Sequence, residues 1–183
     1  HSERAPEAQE LFSKGPHEAS GTFEIGNPML GKEAATAFEI GLKRPRGDFR
    51  FEATAFHTRY RGFIYKRLTG NSCGEEFATC IAGPGEELRQ VAFDQKDATF
   101  TGAELSGQFD LLLVAGGTFG IDGQYDFVHA KFSDGSYVPR IPPHRLGGGL
   151  YWRDGHWFLR VNLLHAFAQN DLAAEETPTA GYN

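Results

Sequence analysis

Seven histidines, two cysteines and several carboxylate pairs carry the chemistry open to this chain. His17 lies beside Glu18 in a Gly/Pro-rich opening stretch. Borderline cations such as zinc favour an imidazole paired with a carboxylate, so these two are candidate metal ligands. No His-x-His or HExxH spacing occurs, so a metal site would be assembled from separate segments. A solvated loop histidine is the competing reading of His17. Glu75-Glu76, Asp134 and Glu175-Glu176 would raise the local cation concentration around such a site. Arg59, Tyr60 and Arg61 would instead suit an anionic chelate. Cys73 and Cys80 stand seven residues apart in a Gly/Asn/Ser/Glu segment, a spacing that can close a small disulfide ring. A disulfide there places the chain in an oxidising compartment; two unrelated thiols are the alternative. No nucleophile elbow, phosphate loop or zinc-hydrolase helix is present, so nothing favours an enzyme.

The elements that must position these residues read as strands. From Asp97 to Phe132 the chain reads as two long strands joined by an apolar turn. Phe119, Ile121, Gly123, Tyr125 and Phe127 share one face, and Asp122, Gln124 and Asp126 share the other. Ala103, Leu105, Gly107 and Phe109 are likewise opposed by Gly102, Glu104, Ser106 and Gln108. Period-2 alternation makes both strands two-faced ribbons. A soluble sandwich would use the apolar face as core, whereas a membrane barrel would turn it to lipid and keep Asp122, Gln124, Asp126, Glu104 and Arg160 in a wet lumen. Composition agrees with strands: 16 Phe, 23 Gly and 13 % aromatic residues suit β structure with many turns. A net charge of −6 argues against nucleic acid as a partner. A mean hydropathy of −0.42 leaves the membrane open, because a membrane strand needs only about 9–11 alternating residues.

Further strands are expected around Thr36–Leu42, from Phe49 to about Tyr65, from Leu146 to Trp152 and from Trp157 to His165, about six in all. Between Tyr60 and Tyr65 the pattern blurs, with polar side chains on both faces. His1 to Glu33 is expected to be irregular, with a helical turn or two between Pro6 and Phe12. Connections at Arg44–Asp48, Asp110–Gly117 and Arg153–His156 are short. Those at Lys66–Gln90, Ser133–His144 and after Gln169 are long, as is the opening segment. Short and long alternate, which gathers the long loops at one end of an up-and-down sheet, as in outer-membrane barrels. Trp152 and Trp157 flank one short turn, at the level of an interfacial aromatic girdle, with core packing as the alternative.

An ordered series of stretches runs from Ser2-Glu3-Arg4-Ala5-Pro6 and Gln9-Glu10-Leu11-Phe12 through Gly21-Thr22-Phe23-Glu24-Ile25-Gly26-Asn27-Pro28. It continues with Phe38-Glu39-Ile40-Gly41-Leu42, Asp97-Ala98-Thr99-Phe100-Thr101-Gly102 and Pro139-Arg140-Ile141-Pro142-Pro143-His144-Arg145, and ends at Glu176-Thr177-Pro178-Thr179-Ala180-Gly181-Tyr182. In this series the chain resembles the barrel of a TonB-dependent outer-membrane receptor. The resemblance implies a 22-strand barrel with an N-terminal plug, driven by the inner-membrane TonB complex. Residues 1–183 would be a C-terminal-half part of that barrel, with the plug, earlier strands and last strands outside it. It further implies the outer membrane of a Gram-negative bacterium, contact with outer-membrane lipid, and import of a scarce metal or metal chelate, zinc or iron-siderophore. A soluble or secreted binding protein with the apolar faces as core is the alternative.

Overall fold

The structure, a computed structural model, describes residues 1–75, 79–174 and 176–183. Six strands form an antiparallel meander: β4 (Glu33–Arg44), β5 (Phe49–Cys73), β7 (Leu88–Val114), β8 (Gly117–Phe132), β9 (Arg145–Arg153) and β10 (Phe158–Ala166). These are the strands expected from alternation, and the fold is all-β and up-and-down. Four short strands complete a ten-stranded sheet: β1 (Ser2–Arg4), β2 (Lys14–His17), β3 (Thr22–Ile25) and β6 (Cys80–Ala82). The sheet is open, with no pairing between β10 and β4 among the described residues.

The opening segment is more ordered than its composition implies. It holds the expected helical turn, α1 (Ala8–Phe12), and three of the short strands. β1 pairs with β4, while β3 pairs in parallel with β7, on the far side of β5. The segment therefore straddles β5, and Leu30 and Leu11 pack on Ile64 and Phe93 beneath it. The expected loop from Lys66 to Gln90 is also shorter than its composition implies. β5 runs on to Cys73, β7 starts at Leu88, and β6 folds back on β5.

The short connections lie together at one end. Ala115 and Gly116 both have positive φ (52° and 77°) and close β7 onto β8 in two residues, the geometry that matches strand twist. In the short connection at Arg153–His156 the turn forms by other means: the Asp154 carboxylate accepts N–H bonds from His156 (2.7 Å) and Trp157 (2.6 Å).

Register assigns every side chain to a face. Leu42, Ala53, Leu105, Tyr125 and Leu146 form one row, and Phe49, Phe109, Ile121, Leu150 and Val161 another. These rows are uncovered: Leu105 is 50 % exposed, Ile121 41 % and Val161 78 %. An apolar face this open is not a closed core. The opposite face carries Arg160–Asp122 (2.6 Å) and Arg145–Asp126 (3.0 Å). Nearer the short turns, Arg50 grips Asp110 with two bonds of 2.8 Å, and Arg153 and Tyr151 add to the same carboxylate. This network links β5, β7 and β9, and the Tyr151 ring lies where a side chain at Gly120 would stand. β5 and β7, at 25 and 27 residues, far exceed the roughly 9–11 needed to cross a bilayer, so their far halves stand clear of the apolar band.

Candidate functional site at the loop end

At the far ends of β5 and β7 the opening segment and the loops converge. His17 closes β2, Glu18–Ser20 make one 3-10 turn, and Gly21 takes the left-handed conformation (φ 58°) that returns the chain into β3. That turn sets His17 opposite Thr22 and two residues from Glu24 in the paired strand. His17 Nδ1 lies 2.9 Å from Ser20 Oγ and 3.7 Å from Glu24 Oε1. The His17 side chain is 41 % exposed and the Glu24 side chain 1 %. Glu18 is exposed at the start of the 3-10 turn.

Glu24 is the centre of this corner. Its carboxylate accepts from Lys66 Nζ (2.5 Å), Gln9 Nε2 (2.9 Å) and Ser20 Oγ (3.3 Å). Burial opposes its ionisation, but the Lys66 and Gln9 bonds, with the Lys66 and His17 charges, outweigh that and hold its pKa below the ordinary carboxylate range. A second clasp sits beside it. Arg4 donates two bonds to Glu10 (2.9 and 3.0 Å) and two to Glu33 (3.0 and 3.4 Å), whose Oε2 also accepts the Ile64 N–H at 2.8 Å. Glu10 also accepts the Glu7 N–H at the start of α1. Burial opposes ionisation of Glu10 as well, and the Arg4 bond then lowers its pKa. Both clasps fasten the opening segment to β4 and β5.

No group of three or more His, Cys, Asp or Glu fit to hold a metal occurs among the described residues. His17 and Glu24 offer two donors, and Lys66 already occupies one of them. The acidic rim is dispersed. Asp134 pairs with Lys96 (2.6 Å) and Glu176 accepts the Arg140 N–H (2.8 Å), while Glu76 and Glu175 lie outside the described residues. The Lys96 and Ser136 bonds hold the Asp134 pKa well below its ordinary value. Cys73 and Cys80 face each other across β5 and β6 and form the expected disulfide, with Gln90 Nε2 within 3.4 Å of both sulfurs. The bond pins the tip of the segment between β5 and β7.

Arg59 and Tyr60 fall on opposite faces of β5. Tyr60 meets Phe63 (5.1 Å) and Phe100 (5.2 Å) edge to face on the face that carries Asp122 and Asp126 lower down. Farther along that face, Tyr65, Arg67, Lys96, Phe132 and Arg140 line a cavity of about 170 Å³. Sequence reading missed this mixed aromatic and cationic group, because it ended the strand at about Tyr65. Continued alternation through Arg67 and from Asp94 to Ala98 is the signal that would have found it.

A family model described as TonB dependent receptor-like, beta-barrel matches residues 1–183. Among solved structures the chain is similar to the copper transporter OprC, with a TM-score of 0.74 and 20 % identity. The match covers 99 % of this chain and 26 % of that one, so the chain spans about a quarter of the transporter's length. At that identity the likeness speaks for the fold alone.

Proposed function

Because the chain belongs to the TonB-dependent receptor-like β-barrel family, we propose that it forms part of the outer-membrane wall of a receptor that imports a scarce metal or metal chelate. The observation that carries this reading is the sidedness of the six-strand meander. Its mid-height rows expose Leu105, Ile121 and Val161 on one face and hold Asp122, Asp126 and Arg160 on the other, and the long segments gather at one end. Such a wall meets hydrocarbon outside and water inside. The family is one of receptors and transporters rather than an enzyme class. In the complete protein, residues 1–183 supply a later part of the barrel, and a plug outside this chain engages the TonB complex. Zinc and an iron-siderophore are the two cargoes proposed from the sequence; copper is the cargo in the name of the similar structure.

Within this reading, His17 contributes to metal capture, with Glu18 and the nearby Glu24 carboxylate assisting. Its exposure at the loop end and its two-strand support favour it. A second reading rests on the cavity of Tyr65, Arg67, Lys96 and Phe132: aromatic and cationic groups together suit an anionic chelate. Calorimetry on the complete receptor and its His17→Ala variant separates the two. Zinc binding weakened about tenfold or more in the variant supports capture by His17. Equal affinities remove His17, and no zinc binding by either protein leaves the chelate reading. Uptake by intact cells that does not depend on the receptor or on the proton-motive force would sink the import reading itself.

A further inference from the structure

One cation already sits in the corner proposed for metal capture. The two carboxylate oxygens of Glu24 have different surroundings. Oε2 accepts the Gln9 amide at 2.9 Å. Oε1 faces Lys66 Nζ at 2.5 Å, Ser20 Oγ at 3.3 Å and His17 Nδ1 at 3.7 Å. Ser20 Oγ in turn lies 2.9 Å from His17 Nδ1. Imidazole nitrogen, hydroxyl and carboxylate oxygen therefore form a triangle, framed by the pairing of β2 with β3. Donors that share one tetrahedral zinc stand roughly 3.4 Å from one another, and the triangle is of that size. Lys66 comes from a different element, β5, and its side chain is 23 % exposed where that of Glu24 is 1 % exposed. A carboxylate so deeply buried needs a positive partner. Among the described residues, the other group that pairs with it is His17. The ammonium also lies 5.3 Å from the centre of the Phe93 ring, a second resting place that does not depend on the carboxylate.

From this arrangement we propose that Lys66 holds the place of the cargo metal on Glu24. A divalent ion captured by His17 displaces the ammonium from Oε1, and Lys66 closes back when the ion leaves. This rests on the capture reading of His17 above and adds the regulation of that site. Charge selects the occupant. A monovalent ion brings no more charge than the ammonium it would replace, and it lacks the tether. A divalent ion brings more charge and takes the imidazole as a further ligand. The exchange moves no proton: Lys66 leaves as an ammonium and rests over Phe93, with a stem long enough to reach water. While it is seated, Glu24 stays ionised and oriented, so the donors are in place before a metal arrives. The same competition keeps capture reversible, as a relay site requires. It also moves the Glu24 link from β5 to β2, so capture loosens the opening segment from the wall while the Arg4 clasp persists.

The test uses the complete receptor, with the zinc ion alone as probe and two readouts. Calorimetry gives zinc affinity, and reductive methylation followed by mass spectrometry gives the accessibility of the Lys66 amine. Lys66→Met removes the competing cation and is expected to tighten zinc binding about tenfold. Lys66→Arg keeps the charge and should bind no tighter than the unmodified receptor. Zinc should raise methylation of Lys66 severalfold in the unmodified receptor. It should leave that of Lys43 unchanged, since Lys43 pairs with Glu52 near the short-turn end of β4. Lys43→Met should leave zinc affinity unaltered. If Lys66→Met lowers thermal stability, zinc should raise its Tm more than that of the unmodified receptor, because the metal then supplies the missing charge. The methylation readout needs no variant, so it decides even where Lys66→Met does not fold. Zinc binding that requires His17 but is unchanged or weakened by Lys66→Met would overturn the proposal and leave capture by His17 standing. Methylation of Lys66 that zinc does not alter would do the same. Equal zinc affinities of the unmodified receptor and His17→Ala would bring down the capture reading and the proposal together.

Discussion

The same faces of β5, β7 and β8 carry opposite chemistry above and below the row of His57, Thr101 and His129. Below it the outward face is apolar and bare, and the inward face holds Asp122, Asp126, Glu104 and Arg50. Above it the outward face presents Arg59 and Lys131 and then Ile64 and Phe93, which the opening segment covers with Leu11 and Leu30, while the inward face packs Tyr60, Tyr65, Phe100 and Phe132 beneath Val138 and Ile141. A sandwich in water would keep one face apolar along its whole length, because water lies on the same side throughout. An inversion part-way along continuous strands means that the surroundings change part-way. On the membrane reading proposed above, hydrocarbon bathes the outside of the lower half and water the outside of the upper half. The segment after β8 folds inward where no wet lumen has to be kept open, and the opening segment covers the outward face beyond the apolar rows.

The upper inward core should break most easily. Phe132→Ala empties a buried position stacked on Tyr65 at 4.5 Å, and is expected to cost about 3–5 kcal/mol in denaturant unfolding of the complete receptor. Next comes the lower outward face. Leu105→Arg places a charge near mid-band and should destabilise the vesicle-inserted protein by about 2–4 kcal/mol. Gln124→Arg, near Asp122 and Asp126 on the inward face, should change it by less than about 0.5 kcal/mol. Equal penalties for these two would mean that the faces do not differ in solvent.

The clasp on Glu24 sharpens the comparison from outside the band. Its folded pKa lies below its unfolded one, so its contribution is complete above about pH 4.3 and is lost as pH falls through the lower folded value. Hydrogen exchange of the β3 amides should stay slow at pH 6 and accelerate below pH ~4, with a loss of about 1.5–3 kcal/mol expected of hydrogen bonds to a charged group. Glu24→Gln should remove that pH dependence. A small stabilising effect belongs to the short-turn end. Ala115 occupies the left-handed region, where a β-carbon is unfavourable, so Ala115→Gly should stabilise by up to about 1 kcal/mol in the same unfolding assay.

Alternation made the lower half legible in the sequence, since rows such as Leu105–Tyr125–Leu146 need only period 2 and a count of residues. The sorted loop lengths then fixed which end carries the long segments. The upper half was illegible for a physical reason. Beyond the row of His57, Thr101 and His129 the faces exchange roles, and the bulge between Tyr60 and Phe63 falls nearby. At that bulge Gly62 takes φ 62° and bonds Asp97 and Gln95. Local pattern therefore fails from Tyr60 onward although the strand continues to Cys73. The Glu24 corner was hidden differently. Gln9, His17, Glu24 and Lys66 meet only because the opening segment crosses β5, and no local spacing announces that crossing. The Cys73–Cys80 bond was legible because both residues lie within one short excursion of the chain.

The most direct test of the inversion is solvent contact along one strand pair. Spin labels would be placed singly at Ile121, Gln124 and Arg59 of the complete receptor in vesicles, and relaxation by oxygen compared with relaxation by a water-soluble nickel chelate. Oxygen should dominate at Ile121, and the chelate at Gln124 and Arg59. A label at Ile121 shielded from both reagents, or reached chiefly by the chelate, would contradict the account.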